Sequence, residues 1–466
     1  MNPIADRGQW NELCRFSVDD LLTNYSNGSL SPVEVLNAHL ARIEQYEHTI
    51  NAFVTVTSDL AKKQAKHSEK VWHRGENPRA LEGVPYAIKD LVPTAGIRTT
   101  KGSALFRDWI PPENSPLAQL LFKSGGAMVG KTTTSEIGWK ADAGNPINGA
   151  SRTPYDPTRT SGGSSGGAAA GVAAGFVAVA QGGDGAGSVR IPASFCNLVG
   201  MKPGPGVIPY YPPTPLGQLV ANGPLAHTVR DAAHLLDVMS AQDPRDSLSV
   251  VRQPGGYREA CDETPDRIRA YYAPSWGGRK VEPSIEATVS EAISCLKSEG
   301  LEIADLEETP RDRFDLLDVI WTTGFASLVP RPNGDTDSEL AKVVERAKLY
   351  SGVDLASAHL ARQSYKAEVE LLLQQVDVLI TPTVAVGPFE PGSPGPQTVT
   401  ETPANYLDWA WMTYSFNLSE HPSITIPSGF DDTDLPVGIQ LISRHGSERS
   451  LLSCASEVER ILRARD

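Results

Sequence analysis

The chain has 466 residues, 40% hydrophobic and 21% charged, an ordinary globular mixture with ample material for a large core. Its formal charge of −14, from 42 basic and 56 acidic residues, repels phosphate backbones and argues against a nucleic-acid partner. Cys14, Cys196, Cys261, Cys295 and Cys454 are scattered with no C-x-x-C pair, so neither a disulfide framework nor a zinc site is indicated. No basic cluster precedes an apolar run at the N-terminus, and the longest apolar stretch, 168–180, is interrupted by Gly171 and Gly175. It is too short to span a bilayer, so a soluble cytoplasmic protein with no membrane partner is expected.

In chain order, residues 15–70 form a helical N-terminal segment. Ser31 as cap, Pro32 and Glu34 just inside, and apolar Val35, Leu36, Leu40 and Ile43 open one helix; residues 58–70 read as a second, polar on most faces. The run Gly83-Val84-Pro85-Tyr86-Ala87-Ile88-Lys89-Asp90 is a short strand ending on two charges. A helix over 117–123 closes at Gly125-Gly126 and leads into a strand at 127–129. From 161 to 206 Gly, Ala and Ser dominate, with a small-residue helix at 165–175 and a strand at 177–180. Helical patterns at 228–240 and 284–298 follow, then strand-like runs at 376–381, 423–427 and 437–443, the first two separated by a Pro/Gly-rich loop at 387–397. Strands alternating with helices along the whole length predict one large α/β domain over 1–466, with a core segment at about 80–206.

Three motifs compete for the chemistry. Gly125-Gly126-Ala127-Met128-Val129-Gly130-Lys131-Thr132 matches G-x-x-x-x-G-K-[ST], a phosphate-binding loop. That loop needs a strand before the first glycine; here a helix precedes it and the apolar strand lies inside it, so nucleotide binding there is a rival reading that lacks its context. Gly162-Gly163-Ser164-Ser165-Gly166 matches G-x-S-x-G, the nucleophile elbow of a Ser-His-Asp esterase, with Ser164 as nucleophile. Tyr155-Asp156-Pro157-Thr158-Arg159-Thr160 before it reads as a polar turn rather than a hydrophobic strand. His421 is its only suggestive histidine; the others read as surface residues. The third is Gln181-Gly182-Gly183-Asp184-Gly185-Ala186-Gly187-Ser188-Val189-Arg190-Ile191-Pro192. Small residues before a serine let several backbone N–H groups converge on one point, as an oxyanion hole around a nucleophile requires. Those residues alone equally describe a glycine-rich turn that reverses the chain.

Taken together, G-V-P-x-x-I-K-D, then G-G-S-S-G-G, then D-x-x-G-S-V-R-x-P-A resemble the amidase signature family, with Lys89, Ser164 and Ser188 spaced 75 and 24 residues apart. Gly200-Met201-Lys202-Pro203, Gly223-Pro224-Leu225-Ala226, Asp377-Val378-Leu379-Ile380-Thr381-Pro382-Thr383 and Leu435-Pro436-Val437-Gly438-Ile439-Gln440 extend the likeness over roughly 15–460. The resemblance implies a single α/β/α domain with a mixed twisted sheet covered by helices. It also implies hydrolysis of amide C–N bonds with Ser188 as nucleophile, Ser164 as bridging serine on a cis Gly163–Ser164 bond, and Lys89 as general base. Lys89 must then be neutral at rest, which needs burial and an Asp90 that points away from it. The backbone of Gly185, Ala186, Gly187 and Ser188 is the expected oxyanion hole. Ala186 stands where the family usually has glycine, and Lys202-Pro203-Gly204 lacks the family's threonine; neither removes a proton-handling group.

Several side chains are assigned smaller parts. Asp184 and Arg190 are expected to pair and hold the loop, Ser165 to cap the small-residue helix, and Lys131 and Lys202 to be structural or solvated. Gly138, Trp139, Tyr211, Trp321 and Trp411 are candidates for a substrate pocket favouring small apolar or aryl amides, with esters and carbamates (urethanes) as further candidates. No metal or organic cofactor is needed, and the partner is a small-molecule, amide-like substrate. A non-catalytic protein of the same fold is the remaining alternative, and the sequence leaves the oligomeric state open.

Overall fold

Helix caps set the N-terminal segment. In the computed structural model, which describes residues 2, 4–251, 254–399, 402–403 and 406–465, the Ser31 hydroxyl accepts from the Val33 amide and Pro32 takes the first position of the helix Pro32–Ile50. A second helix, Ser58–His73, packs beside it. The described strands are β1 (Phe53–Val56), β2 (Pro85–Lys89), β3 (Ala127–Thr132), β4 (Arg152–Thr153), β5 (Asp156–Thr160), β6 (Val179–Asp184), β7 (Val199–Lys202) and β8 (Ala221–Ala226). They continue with β9 (Arg269–Tyr272), β10 (Glu302–Asp305), β11 (Val378–Pro382), β12 (Thr398–Val399), β13 (Thr402–Pro403), β14 (Ser423–Phe430) and β15 (Pro436–Ile442).

Eleven of these strands make one mixed sheet in the order β1-β3-β2-β6-β8-β7-β14-β15-β11-β9-β10. Its parallel pairs lie toward the two flanks, β3 with β2 and β2 with β6, then β11 with β9 and β9 with β10. The centre is antiparallel, and there β7 meets β14 with Met201 opposite Ile424. The two halves of the chain are thus one sheet, flanked by helices as the α/β reading expects. The segment read as a polar turn, 155–160, instead contains β5, which pairs with β4 in a small separate hairpin. Among the described residues no helix is long and apolar enough to cross a membrane.

Strand alternation divides the core. Tyr86, Ile88, Met128 and Val179 join the larger hydrophobic cluster, while Ala87, Ala127, Val129 and Ala180 join a second, alanine-rich one. The second is closed by the helix Gly166–Ala173, every residue of which is buried. Each alanine methyl sealed there contributes on the order of 0.8 kcal/mol, and small residues let the helix approach very closely. A Cβ on Gly167 would lie 2.4 Å from the Ala52 carbonyl oxygen and 2.5 Å from the Thr133 amide nitrogen. Helix start, small-residue face and the end of β2 therefore meet at one place.

The phosphate-loop reading fails on the same geometry. Residues 127–132 are the fully buried β3, not an open loop. The Lys131 ammonium donates to the Val92 carbonyl and, at 3.0 and 3.1 Å, to the Thr94 and Thr99 hydroxyls. Lys131 is structural and cannot greet a phosphate.

Candidate active site

β2 ends at Lys89, which shares the strand's Ala87 side by the period of two and so reaches toward the start of the helix Gly166–Ala173. Its Nζ lies 2.8 Å from Ser164 Oγ, 2.8 Å from Ser165 Oγ and 3.1 Å from the Gly183 carbonyl oxygen. Its own amide donates to Gln181 Oε1 at 3.0 Å, fixing the strand end. The residue is 1% exposed, and burial lowers its pKa from 10.5 to about 7 against the opposing pull of the Asp184 carboxylate. Asp90 points elsewhere: its carboxylate accepts from the Thr100 amide and hydroxyl and sits 3.8 Å from Lys131 Nζ. Ser164 stands on the turn before the helix, after a cis Gly163–Ser164 bond. Gly163 has no room for a side chain, since a Cβ would fall 2.4 Å from the Asp142 carbonyl carbon.

Ser165 does not cap the helix. Its hydroxyl is turned inward, accepting from Lys89 Nζ and from the Gly183 amide at 3.1 Å and donating to the Gly183 carbonyl at 3.0 Å. It thereby ties the lysine, the helix start and β6 into one unit.

The loop after β6 is organised by Asp184. Its carboxylate pairs with Arg190 (Nε at 3.0 Å, Nη2 at 3.1 Å) and accepts from the Gly187 amide at 2.8 Å, the Val189 amide at 3.2 Å and Asn417 Nδ2 at 2.9 Å. The guanidinium and these donors hold the carboxyl well below its ordinary range despite complete burial. Arg190 in turn donates to Asn417 Oδ1 at 2.6 Å and Gln440 Oε1 at 3.1 Å, and Thr413 Oγ1 donates to the Ala186 carbonyl at 2.8 Å. Asn417, Gln440 and Thr413 are structural supports that sequence reasoning missed, because they lie more than 200 residues away in the chain.

One of the four amides expected to face an oxyanion is engaged in this network. The Gly187 amide is taken up by Asp184, which leaves Gly185, Ala186 and Ser188. Gly187 has φ +116°, and a Cβ there would collide with Thr413 Oγ1 at 2.2 Å, so glycine is required at 187. Ala186, by contrast, is not in the left-handed region and its methyl is buried in the main core, so its departure from glycine is accommodated. Ser188 is 5% exposed, and its carbonyl accepts from the Ser165 amide at 3.2 Å. Among the described residues its hydroxyl makes no hydrogen bond to Ser164.

Lys89, Ser164 and Ser188 line a common cavity of about 170 Å³. Its walls include Leu91, Ile137, Leu216, Val220, Trp321, Phe325 and Leu328, with Pro209, Tyr210, Tyr211 and Pro212 along the rim. Gly138 is part of it and abuts the Ser164 hydroxyl: a Cβ at 138 would sit 3.3 Å from Ser164 Oγ. Trp321 covers Gly185, its ring 3.3 Å from where that residue's Cβ would be. Of the predicted pocket residues, Trp139 and Trp411 lie off this lining. Trp139 is held in the core against Tyr406, its carbonyl accepting from Trp321 Nε1 at 3.1 Å, and Trp411 packs under the Arg279 guanidinium. Lys101, not foreseen from the sequence, lines the cavity, with Nζ 4.4 Å from the Phe106 ring centroid. No carboxylate and no histidine lines the cavity among the described residues.

The Ser-His-Asp reading therefore lacks its base. His421 Nε2 is 2.9 Å from Glu370 Oε2, outside the cavity. Of the histidines read as surface residues, His39 and His234 are instead buried, bonding the Gly175 and Ala80 carbonyls.

Comparison with known proteins adds an independent line. A family model described as Amidase matches residues 34–452. An acylamidase from Rhodococcus erythropolis is 33% identical over 459 residues, covering 96% of this chain and 95% of that protein. A glutamyl-tRNA(Gln) amidotransferase subunit from Thermosynechococcus vestitus is 32% identical over 463 residues, covering 92% and 94% respectively. The crystal structure of a bacterial aryl acylamidase of the amidase signature family superposes with a TM-score of 0.88, at 27% identity and over 96% of each chain.

Proposed function

The chain belongs to the amidase family and is a hydrolase of amide C–N bonds; from that premise we propose that Ser188 is its nucleophile, Ser164 the bridging serine and Lys89 the base. The observation that carries this reading is the 2.8 Å contact of a desolvated Lys89 Nζ with Ser164 Oγ at the wall of a cavity that Ser188 also lines. With its pKa near 7, Lys89 offers a lone pair at neutral pH. Ser164 passes its proton to that lone pair and takes the proton of Ser188, whose oxygen attacks the amide carbon. The carbonyl oxygen becomes an oxyanion facing the amides of Gly185, Ala186 and Ser188, each such donor worth about 2.7–4 kcal/mol in the transition state. The relay then returns a proton to the leaving nitrogen, the C–N bond breaks, and water attacks the acyl-enzyme by the same route.

The apolar walls and Trp321 support small apolar or aryl amides as substrates, with esters and carbamates as further candidates. A free amino acid amide such as glutamine would bring an ammonium, and no carboxylate among the described residues lines the cavity to receive it. The test is labelling with a fluorophosphonate followed by peptide mapping. A single adduct on Ser188 is expected, with anilide turnover falling about 10⁴-fold or more in Ser188→Ala. An adduct on Ser164 instead would overturn the assignment of the two serines.

A further inference from the structure

We infer that Glu370, His421 and His445 form a binding site for one divalent transition-metal ion, best suited to Zn²⁺, separate from the hydrolytic cavity. The site is invisible as a motif because its residues are 51 and 24 positions apart. The fold assembles it: β14 and β15 pair with Ser423 opposite Ile442, which brings His421, before β14, and His445, after β15, to the same end of the sheet. Glu370 arrives from the helix Gly352–Leu373. Glu370 Oε2 then lies 2.9 Å from His421 Nε2 and 2.7 Å from His445 Nδ1, and all three atoms fall within 4.8 Å of one another.

Proton counting argues that this arrangement suits a cation. His445 Nε2 is 3.0 Å from the Ser419 carbonyl oxygen, which only accepts, so Nε2 carries a proton. That leaves Nδ1 as the nitrogen facing Glu370 Oε2, and either a proton or a metal ion can occupy the position between the two atoms. The same oxygen also faces His421 Nε2, at 2.9 Å. Among the described residues His421 Nδ1 has no hydrogen-bond partner, and Nε2 is the nitrogen the fold turns toward the carboxylate.

The surroundings fit a metal ligand set. A backbone carbonyl on the far nitrogen of a ligating histidine is the usual orienting partner, and Gln374 Nε2 steadies the other carboxylate oxygen of Glu370 at 2.7 Å. Two imidazoles and one carboxylate leave a fourth tetrahedral position for water. Glu370 and His445 side chains are each 28% exposed, and His445 lines a groove of about 340 Å³. Glu420, nearby, is engaged by Arg362 and Lys366 and is not a fourth ligand. Lys202 is a buried cation whose field also reaches His421.

The experiment is zinc titration of the EDTA-dialysed, full-length protein by calorimetry and thermal denaturation, beside His445→Gln and Glu370→Gln. One zinc per chain is expected for the wild type, with the unfolding midpoint raised by roughly 2 °C or more at saturation. Each variant is expected to lose affinity at least about tenfold while its anilide hydrolysis and circular dichroism stay unchanged. No zinc uptake by the wild type overturns the inference, as does uptake of equal strength in both variants. Hydrolysis is read separately, so failure here leaves the Ser188 assignment untouched.

Discussion

Two buried lysines stand on neighbouring parallel strands, Lys89 at the end of β2 and Lys131 near the end of β3, where Ile88 is registered with Lys131. Burial depresses both, to about 7 and about 8. Their surroundings separate them. Lys131 has a carboxylate, that of Asp90, 3.8 Å away, and bonds a carbonyl and two threonines. Lys89 touches two serine hydroxyls and a carbonyl instead, and lines a cavity. A lowered pKa is thus a product of desolvation wherever a lysine is buried; what distinguishes Lys89, the base we propose, is that its partner Ser164 lies at an opening for substrate.

The contrast can be broken by experiment. Lys89→Met is expected to lower kcat for an anilide by about 10³-fold, within the 10²–10⁴ that a positioned base supplies; a loss under tenfold would remove Lys89 from the chemistry. Next in size is the pH profile. The base must be unprotonated, so kcat/KM should fall about tenfold per unit as pH drops below about 7, and hold above it. A rate that rises as the medium is acidified would contradict a lysine base. The smallest kinetic effect belongs to Lys131→Met, expected to leave kcat within about threefold and the acid limb in place. Its cost falls on stability, about 3 kcal/mol by urea denaturation, because Asp90 is left buried without its partner.

The family of this molecule was legible where a motif is local. Lys89, Ser164 and Ser188 lie in three short phrases whose order and glycine content can be read directly, and Ser31-Pro32 announces its helix. Ser165 shows the limit: a serine before a small-residue helix looks like a cap, and only the fold reveals its hydroxyl turned to Lys89. Gly187 looks like one more oxyanion donor until Asp184 is seen to accept its N–H. Trp411 and Trp139 carry the same apolar signal as Trp321, and only packing decides which faces the cavity. The sheet order was beyond reach because the central β7–β14 pairing joins residues more than 200 apart. One missed helix was marked, since Ser351 and Asp354 form the capping box that opens Gly352–Leu373.

The supports of the Ser188 loop have a consequence for how the protein is made. A ribosome delivers Lys89, Ser164 and Ser188 long before Thr413, Asn417 and Gln440, which hold the Ala186 carbonyl and the Asp184–Arg190 pair in place. The nascent chain would carry all three proposed catalytic side chains while Arg190 still lacked two of its acceptors and Gly187 the threonine packed against it. On the proposed mechanism, competence for hydrolysis is therefore a late event in synthesis, set by the arrival of the helix Trp411–Leu418 and of β15 rather than by the emergence of Lys89, Ser164 and Ser188.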